Sequence, residues 1–320
     1  MTSLQAVANF LPARSVPVST YLRGLGVPEL RTKVYERYFG YAQIRLDPQE
    51  RLVDQLLGAA TALDALQGRE DRVRYVLEAR TMHAVAPYPS APLQEVTRAL
   101  GLSHATAFCV TQHACASGLL AIDLAGKLLA RDGDPDALAL ILAGEKSFTT
   151  SAEIIMNTGV MGEGTTAALV GLDGKNDRVL SYVTETRTEF NDDGDSVQEA
   201  RVIFQDAYPR ILADIMLAAV EFAGLRMCDI KLILPHNVNR MSWLRALELA
   251  GVSDTDRLFL DNLPLTGHCF NADAFMNYMD ACRNGRLNKG DRYLMTAVGV
   301  SATYATGNLA ATFSSMVLQH

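Results

Sequence analysis

An α/β fold with largely parallel sheets is predicted by two observations. Strand-like apolar runs alternate with helical stretches through most of the 320 residues. Both halves also repeat one local device, an apolar run that passes through a polar turn into a helix. In the first half, Val73–Leu77, Ala107–Val110, Leu138–Ala143 and Ala167–Val170 read as strands because they are short, apolar and bounded by polar residues or glycine. Gln55–Leu66, Leu93–Leu100 and Ser117–Ala130 space their apolar residues three and four apart and read as helices. In the second half, Leu232–Leu234 and Tyr293–Ala297 read as strands, and Tyr208–Ala223 and Ser242–Ala250 as helices. The repeated device runs from Ala107–Val110 through Cys115, and from Leu232–Leu234 through Pro235-His236-Asn237. Each half then ends in a Gly-punctuated β-like segment, Gly162–Leu172 and Gly299–Phe313. The chain thus divides into residues 1–172, carrying the cysteine turn, and 173–320, carrying the histidine turn. The two turns are expected to face each other across a pseudo-twofold axis, at strand ends where α/β folds place their sites.

Composition removes several classes of function. With 49% hydrophobic residues and a mean hydropathy of +0.07, the chain can bury a large core. No apolar stretch reaches the roughly 18 residues of a membrane span, and Met1–Pro17 has neither a basic start nor a long apolar centre, so a cytoplasmic protein is expected. Five cysteines without a CxxC pair fit a reducing compartment better than a disulfide framework. His113, Cys115, His268 and Cys269 are metal-ligand types, but neither pair has zinc-site spacing, so no metal is expected. A net charge of −7 argues against bulk nucleic-acid binding, and an acidic partner would need a local basic patch. Arg240 and Arg245, just after His236, supply one, although solvated arginines carry the same signature.

Cys115 stands where an apolar run ends and an Ala/Leu-rich helix begins. Free N–H groups and the positive dipole end of a helix stabilise an anion there. A thiol attacks a carbonyl as its thiolate, so a nearby imidazole is the expected partner. His236, placed at a strand end before Asn237, is the best candidate among six histidines. His268 lies in a polar turn between Pro264 and a helical pattern, where it can polarise a carbonyl, while Asn271 or Asp273 can cap the next helix. Gly299-Val300-Ser301-Ala302-Thr303-Tyr304 lacks a phosphate-loop pattern and suits a tight turn that donates one backbone N–H, around Val300, to an oxyanion.

Six motifs occur in order: Tyr35-Glu36-Arg37-Tyr38-Phe39-Gly40, Pro89-Ser90-Ala91-Pro92, Ala114-Cys115-Ala116-Ser117-Gly118, Gly162-Glu163-Gly164-Thr165-Thr166-Ala167-Ala168, Pro235-His236-Asn237-Val238-Asn239 and Lys289-Gly290-Asp291. In this order and spacing the chain resembles the thiolase-like superfamily, and within it the β-ketoacyl-acyl-carrier-protein synthase III group. The resemblance implies a five-layered αβαβα fold of two similar halves, a homodimer, and an acyl group carried on Cys115 beside His236. It implies an oxyanion hole made by the backbone N–H groups of Cys115 and of the loop around Val300. It further implies an acyl-CoA or phosphopantetheine-linked thioester as substrate, with no permanently bound cofactor, contacted by Arg37 and Asn239. Acyl carrier protein would dock on Arg240 and Arg245. Family members often place a tryptophan upstream of Arg37; here the only one is Trp243, which favours a carrier-protein donor over coenzyme A.

Condensing members carry Gly-Asn where this chain has Gly267-His268, and that asparagine helps stabilise the enolate formed when malonyl-carrier protein loses CO₂. An amide donates in any state, whereas a histidine donates only in the right tautomer or charge. The replacement points to acyl transfer, as in synthase-III-like acyltransferases of natural-product pathways, some of which carry an acidic residue in this loop. Asp273 is expected to orient His236, with Asn271 as an alternative source of the missing amide. The expected function is therefore an acyltransferase of secondary metabolism. The alternatives are a decarboxylative synthase III and a non-catalytic partner subunit of a synthase complex. A degradative thiolase would need a cysteine within Gly299–Tyr304, and a hydroxymethylglutaryl-type synthase a glutamate within Ala79–His83; neither is present. Ile155, Met156, Met161, Phe204, Phe270 and Met276 are candidates to line an acyl tunnel.

Overall fold

A computed structural model describes residues 1–85, 87–149, 152–175, 177–190, 197–302 and 309–320. The chain opens with β1 (Thr2–Phe10), then makes an excursion through β2 (Ser15–Pro17), α1 (Val18–Gly24), α2 (Glu29–Val34), a π-helical turn over Tyr35–Phe39, and β3 (Gln43–Arg45). It continues through α3 (Leu52–Thr61), β4 (Val73–Ala79), α4 (Pro92–Ala99), β5 (Thr106–Val110), α5 (Ser117–Asp132), β6 (Leu138–Ala143), the small hairpin β7 (Ile154–Ile155) and β8 (Gly159–Val160), and β9 (Thr165–Leu172). Then follow β10 (Arg178–Arg187), α6 (Val197–Phe222), β11 (Leu232–Pro235), α7 (Arg240–Leu249), α8 (Leu263–Thr266), α9 (Asp273–Arg283), β12 (Arg292–Ala302) and β13 (Leu309–Gln319).

Nine strands form one sheet in the order β11-β12-β13-β10-β1-β9-β6-β4-β5. Its halves meet through one residue pair, Ser3 of β1 with Arg178 of β10. Either side of that joint the order repeats: β1-β9-β6-β4 matches β10-β13-β12-β11, with the same directions. Leu258 supplies the counterpart of β5, bridging in parallel to Ile233 of β11.

Five layers result. Helices α3 and α4 cover one half-sheet through Leu56, Leu93 and Val96. Helices α6 and α7 cover the other through Leu212, Met216 and Trp243. Between the sheets lie α5 and α9, whose Leu119, Ile122, Phe275 and Ala281 pack with Leu77, Ile141, Met295 and Met316. β6 is buried at all six positions, which is why it reads as an unbroken apolar run.

Three expectations need correction. The sheet is mixed: β4-β5, β4-β6 and β11-β12 pair in parallel, and the other five pairings are antiparallel. Strands such as β12 and β13, separated by only six residues in the sequence, are free to pair antiparallel. Helix α6 begins eleven residues before Tyr208, although Pro209 favours a helix start. Edge-to-face packing of Phe204 on Phe190 and Tyr208, and the tilted packing of Tyr208 on Phe313, hold the helix across the proline. The repeated device is also offset by one unit. In the strand order β11 corresponds to β4, not β5, so the counterpart of the Cys115 turn is the His268–Asp273 turn that opens α9.

Candidate active site

Cys115 lies in a 3-10 turn, Ala114–Ala116, at the start of α5. The turn presses against β12 so closely that a Cβ on Gly299 would sit 1.8 Å from the His113 carbonyl oxygen, so only glycine fits there. Gly299 and Val300 are extended within β12, paired with Thr312 and Ala311, so the expected tight turn is a strand. Thr303 and Tyr304 of that motif lie outside the described residues. Ala114 at φ 45° and Phe270 at φ 55° hold strained left-handed backbone in the two loops that meet here.

His268 is fixed by its backbone. Its N–H donates to the Val160 carbonyl at 2.9 Å, and its carbonyl accepts the Gly162 N–H at 2.9 Å. Its ring is held by Asp273, whose Oδ2 lies 2.5 Å from Nδ1. Asp273 is the first residue of α9 and is fully buried. The same carboxylate accepts the Asn237 N–H at 2.6 Å, the Cys269 N–H at 2.8 Å and the Asn237 side-chain amide at 3.3 Å. Asp273 was expected to orient His236; its carboxylate reaches His268 instead, because the chain folds back over Cys269–Ala272 and returns it to the loop it started from. Burial alone would push the His268 imidazole down, but the charges of Asp273 and Cys115, each also hydrogen-bonded to the ring, outweigh it and lift the value to about 10. With Nδ1 taken by Asp273, Nε2 is the nitrogen left for Cys115.

His236 has the opposite environment. Burial, then the neighbouring charge of His268, drive its imidazole well below the ordinary 6.5, so it is neutral. Its ring stands edge-to-face on His268 with centroids 5.7 Å apart. Its Nε2 is 3.1 Å from the Tyr208 hydroxyl, and its backbone carbonyl accepts the Trp243 indole N–H at 3.0 Å.

Thr81, after β4, completes the cysteine's surroundings: its hydroxyl donates to the Cys115 sulfur at 3.3 Å. Asn271 donates to the Thr81 oxygen at 3.1 Å and accepts the Gly118 N–H of α5 at 2.9 Å, so it braces the nucleophile turn rather than replacing an amide beside His236. Glu145 holds the Thr81 loop through the backbone N–H groups of Thr81 and Met82, and burial lifts its carboxyl to about 7.

These groups open into a cavity of about 180 Å³ that Cys115, His236, His268, Tyr208, Asn239 and Val300 help to line. Of the expected tunnel residues, Ile155, Met156 and Phe204 line it; Met161, Phe270 and Met276 do not. Met161 and Met276 are buried elsewhere in the interior, and Phe270 faces a neighbouring pocket beside Met82. Asn239 caps α7, accepting the Ser242 N–H at 2.8 Å. Outside the cavity, Arg240 donates to the Arg37 carbonyl at 2.7 Å, bringing these two exposed residues side by side. Arg245 is paired with Glu248 at 2.5 Å, so the expected patch retains Arg240 but loses the free charge of Arg245. Among the described residues, no three His, Cys, Asp or Glu side chains gather as a metal site.

Sequence reasoning missed Thr81, Glu145 and Tyr208 as site residues. Each reaches the cavity or its wall from an element remote in sequence, and the one available signal was a tyrosine spaced four residues from Phe204 on an otherwise apolar helix face.

Residues 220–310 match the family model for the C-terminal part of 3-oxoacyl-[acyl-carrier-protein] synthase III. A β-ketoacyl-[acyl-carrier-protein] synthase III from Halalkalibacterium halodurans is 25% identical over 292 residues, covering 88% of this chain and 87% of that protein. Among solved structures, 3-oxoacyl-[acyl-carrier-protein] synthase III from Aquifex aeolicus aligns over 100% of both chains with a TM-score of 0.78 and 18% identity. ChlB3, described as an acyltransferase, aligns over 99% of this chain and 97% of its own with a TM-score of 0.82 and 18% identity. With the repeated half-sheets and the five layers, these matches show the thiolase-like fold of the β-ketoacyl-acyl-carrier-protein synthase III structures, with sequence similarity to that group along most of the chain.

Proposed function

We propose that this thiolase-like enzyme is an acyltransferase, in which Cys115 accepts an acyl group from a carrier-protein or coenzyme A thioester and passes it to an oxygen, nitrogen or sulfur nucleophile. The observation that carries the reading is the 2.5 Å contact between Asp273 and His268 beside Cys115. A carboxylate behind an imidazole keeps Nδ1 protonated, aims Nε2 at the reacting group and stabilises the imidazolium. A proton acceptor needs these services. Stabilising an enolate calls only for donors, so the pair is built for moving protons to and from a nucleophile.

The proton accounting closes. His268 holds the proton in the resting site, so Cys115 attacks the donor carbonyl as its thiolate, and His268 Nε2 gives that proton to the departing pantetheine sulfur. The acylated sulfur carries no charge, so one of the influences holding His268 up is gone and the ring becomes a base. It then takes the acceptor's proton as the acceptor attacks, and Cys115 leaves as the thiolate. The N–H groups of Cys115 and of β12 near Val300 serve the carbonyl oxygen. No cofactor beyond the thioester is required. Arg37, Asn239 and Arg240 line the route for the pantetheine arm and an acidic carrier, with Arg245 in a lesser part.

The similarity to ChlB3 supports transfer, whereas the synthase relative supports a second reading, decarboxylative condensation. Secondary metabolism is the setting proposed. Five free cysteines fit a cytoplasmic protein, and no described helix is long and apolar enough to cross a membrane. The unpaired outer side of β5 offers a second copy an edge for a homodimer. The test is incubation with radiolabelled acyl-carrier protein, with and without malonyl-carrier protein. Label on wild type but not on Cys115→Ala, with malonate untouched, is expected; release of CO₂ with a β-keto product would replace transfer by condensation.

A further inference from the structure

We propose that Thr81 is a further catalytic residue: its hydroxyl donates to the Cys115 sulfur as the acyl group departs, and holds the negative charge left there. The inference rests on the reading of Cys115 as acyl carrier. Thr81 follows β4 and Cys115 stands at the start of α5, 34 residues later, yet the Thr81 oxygen lies 3.3 Å from the sulfur.

Counting donors fixes the direction of this hydrogen bond. The Asn271 side-chain oxygen accepts the Gly118 N–H at 2.9 Å, which turns the amide nitrogen toward Thr81. That nitrogen can only donate, and it does so to the Thr81 oxygen at 3.1 Å. The hydroxyl is thus an acceptor from Asn271, and its own proton is free for another group. Two acceptors compete for that proton, the Cys115 sulfur and the Glu145 carboxylate. Burial raises the Glu145 carboxyl to about 7, against the N–H groups of Thr81 and Met82, the Arg80 charge and the Thr81 side chain, which pull it down. A hydroxyl placed between two such acceptors follows the charge. It serves the sulfur when Cys115 is a thiolate, and turns to Glu145 when acylation leaves the sulfur neutral.

The second half-reaction needs such a donor. The acceptor's lone pair bonds to the acyl carbon, its proton passes to His268 Nε2, and the carbon–sulfur bond breaks with its electron pair on sulfur. While Nε2 takes that proton it cannot donate to the sulfur, and Nδ1 is held by Asp273. The Thr81 hydroxyl is a donor throughout. It gives up no proton, and no bond at its oxygen breaks. Because it binds the charged sulfur more strongly than the acylated one, it favours departure over retention.

The experiment is acyl exchange between acetyl-N-acetylcysteamine and the full chain, for wild type, Thr81→Val and Thr81→Ser. Forward and return rates and the equilibrium are read by intact mass, with Cys115→Ala as the blank. The exchange frees N-acetylcysteamine, so its equilibrium weighs free Cys115 against acylated Cys115. Thr81→Val keeps the shape of the side chain and loses the hydroxyl. Its equilibrium is expected to move about 10- to 100-fold toward the acylated protein, the range for losing one hydrogen bond to a charged group, with a slower return to N-acetylcysteamine. Thr81→Ser keeps the hydroxyl and should stay with the wild type. A purely structural loss would slow both directions and leave the equilibrium in place. That result would overturn the role, as would Thr81→Ser shifted as far as Thr81→Val. Should Thr81→Val fail to fold, Thr81→Ala removes the same hydroxyl and is held to the same outcomes. If wild type gains no acyl group on Cys115, the acyl-carrier reading itself fails and takes this role with it; if wild type is acylated and Thr81→Val keeps the wild-type equilibrium, only the role of Thr81 falls.

Discussion

Asp273 and His268 form the pair on which the proposed chemistry turns, and it can be tested apart from the cysteine. Asp273→Asn keeps the size of the side chain but loses one acceptor of the four contacts it makes and the charge behind His268. Steady-state transfer is expected to fall by about 10³–10⁴-fold, as when the carboxylate of a catalytic triad is neutralised. Stability should report the same pair. His268 is raised above its ordinary 6.5, so the folded state holds a proton that the unfolded chain has released above that pH. The contribution is fully present below about 6.5 and lost as pH rises through the raised value. In Cys115→Ala, where the thiol no longer titrates, urea midpoints between pH 6 and 10 should decline, and adding Asp273→Asn should flatten the decline. A flat profile in Cys115→Ala would mean that Asp273 does not hold the ring charged. The residue types were legible in the sequence: Cys115, His236, His268 and Asp273 were all singled out. Their pairing was not, since it depends on a loop in which Phe270 adopts left-handed backbone and turns the chain back on itself.

At the scale of elements, the site depends on how α5 meets the loop that opens α9. A Cβ on Gly118 would lie 2.9 Å from the Phe275 ring and 3.1 Å from the Asn271 carbonyl oxygen, and the Gly118 N–H is the donor that fixes Asn271. Gly118→Ala is therefore expected to cost about 1–3 kcal/mol in urea denaturation, the range for an overpacked interior. It should also slow alkylation of Cys115 by iodoacetamide, because Asn271 orients Thr81 on the sulfur. Unchanged stability and alkylation would show that the two elements have room to separate. Helix α5 and the buried strand β6 were readable because their apolar patterns are strong. β1 was not, since its buried positions fall irregularly along a mixed sequence, and β10 exposes much of its length. The start of α6 was hidden by Pro209, whose local preference is overridden by aromatic packing.

Across the whole molecule, Cys115 belongs to one half-sheet's helix while His236, His268 and Asp273 belong to the other half, and α5 and α9 are packed as a single layer between the sheets. The halves are thus expected to unfold together. Phe275→Ala, at a site 1% exposed in that layer, should cost about 3–5 kcal/mol and still give one calorimetric transition. Two separated transitions would mean that the halves are independently stable. The alternation of strands and helices made the architecture legible, but the offset of the repeat by one unit was not. It depends on strand order, which local pattern does not carry. Trp243, the sole tryptophan, binds the His236 carbonyl through its indole and stands 5.2 Å from the His236 ring. The protein therefore carries an intrinsic fluorophore against the wall of its own reaction chamber, and loading or emptying that chamber is open to optical recording on the unlabelled chain.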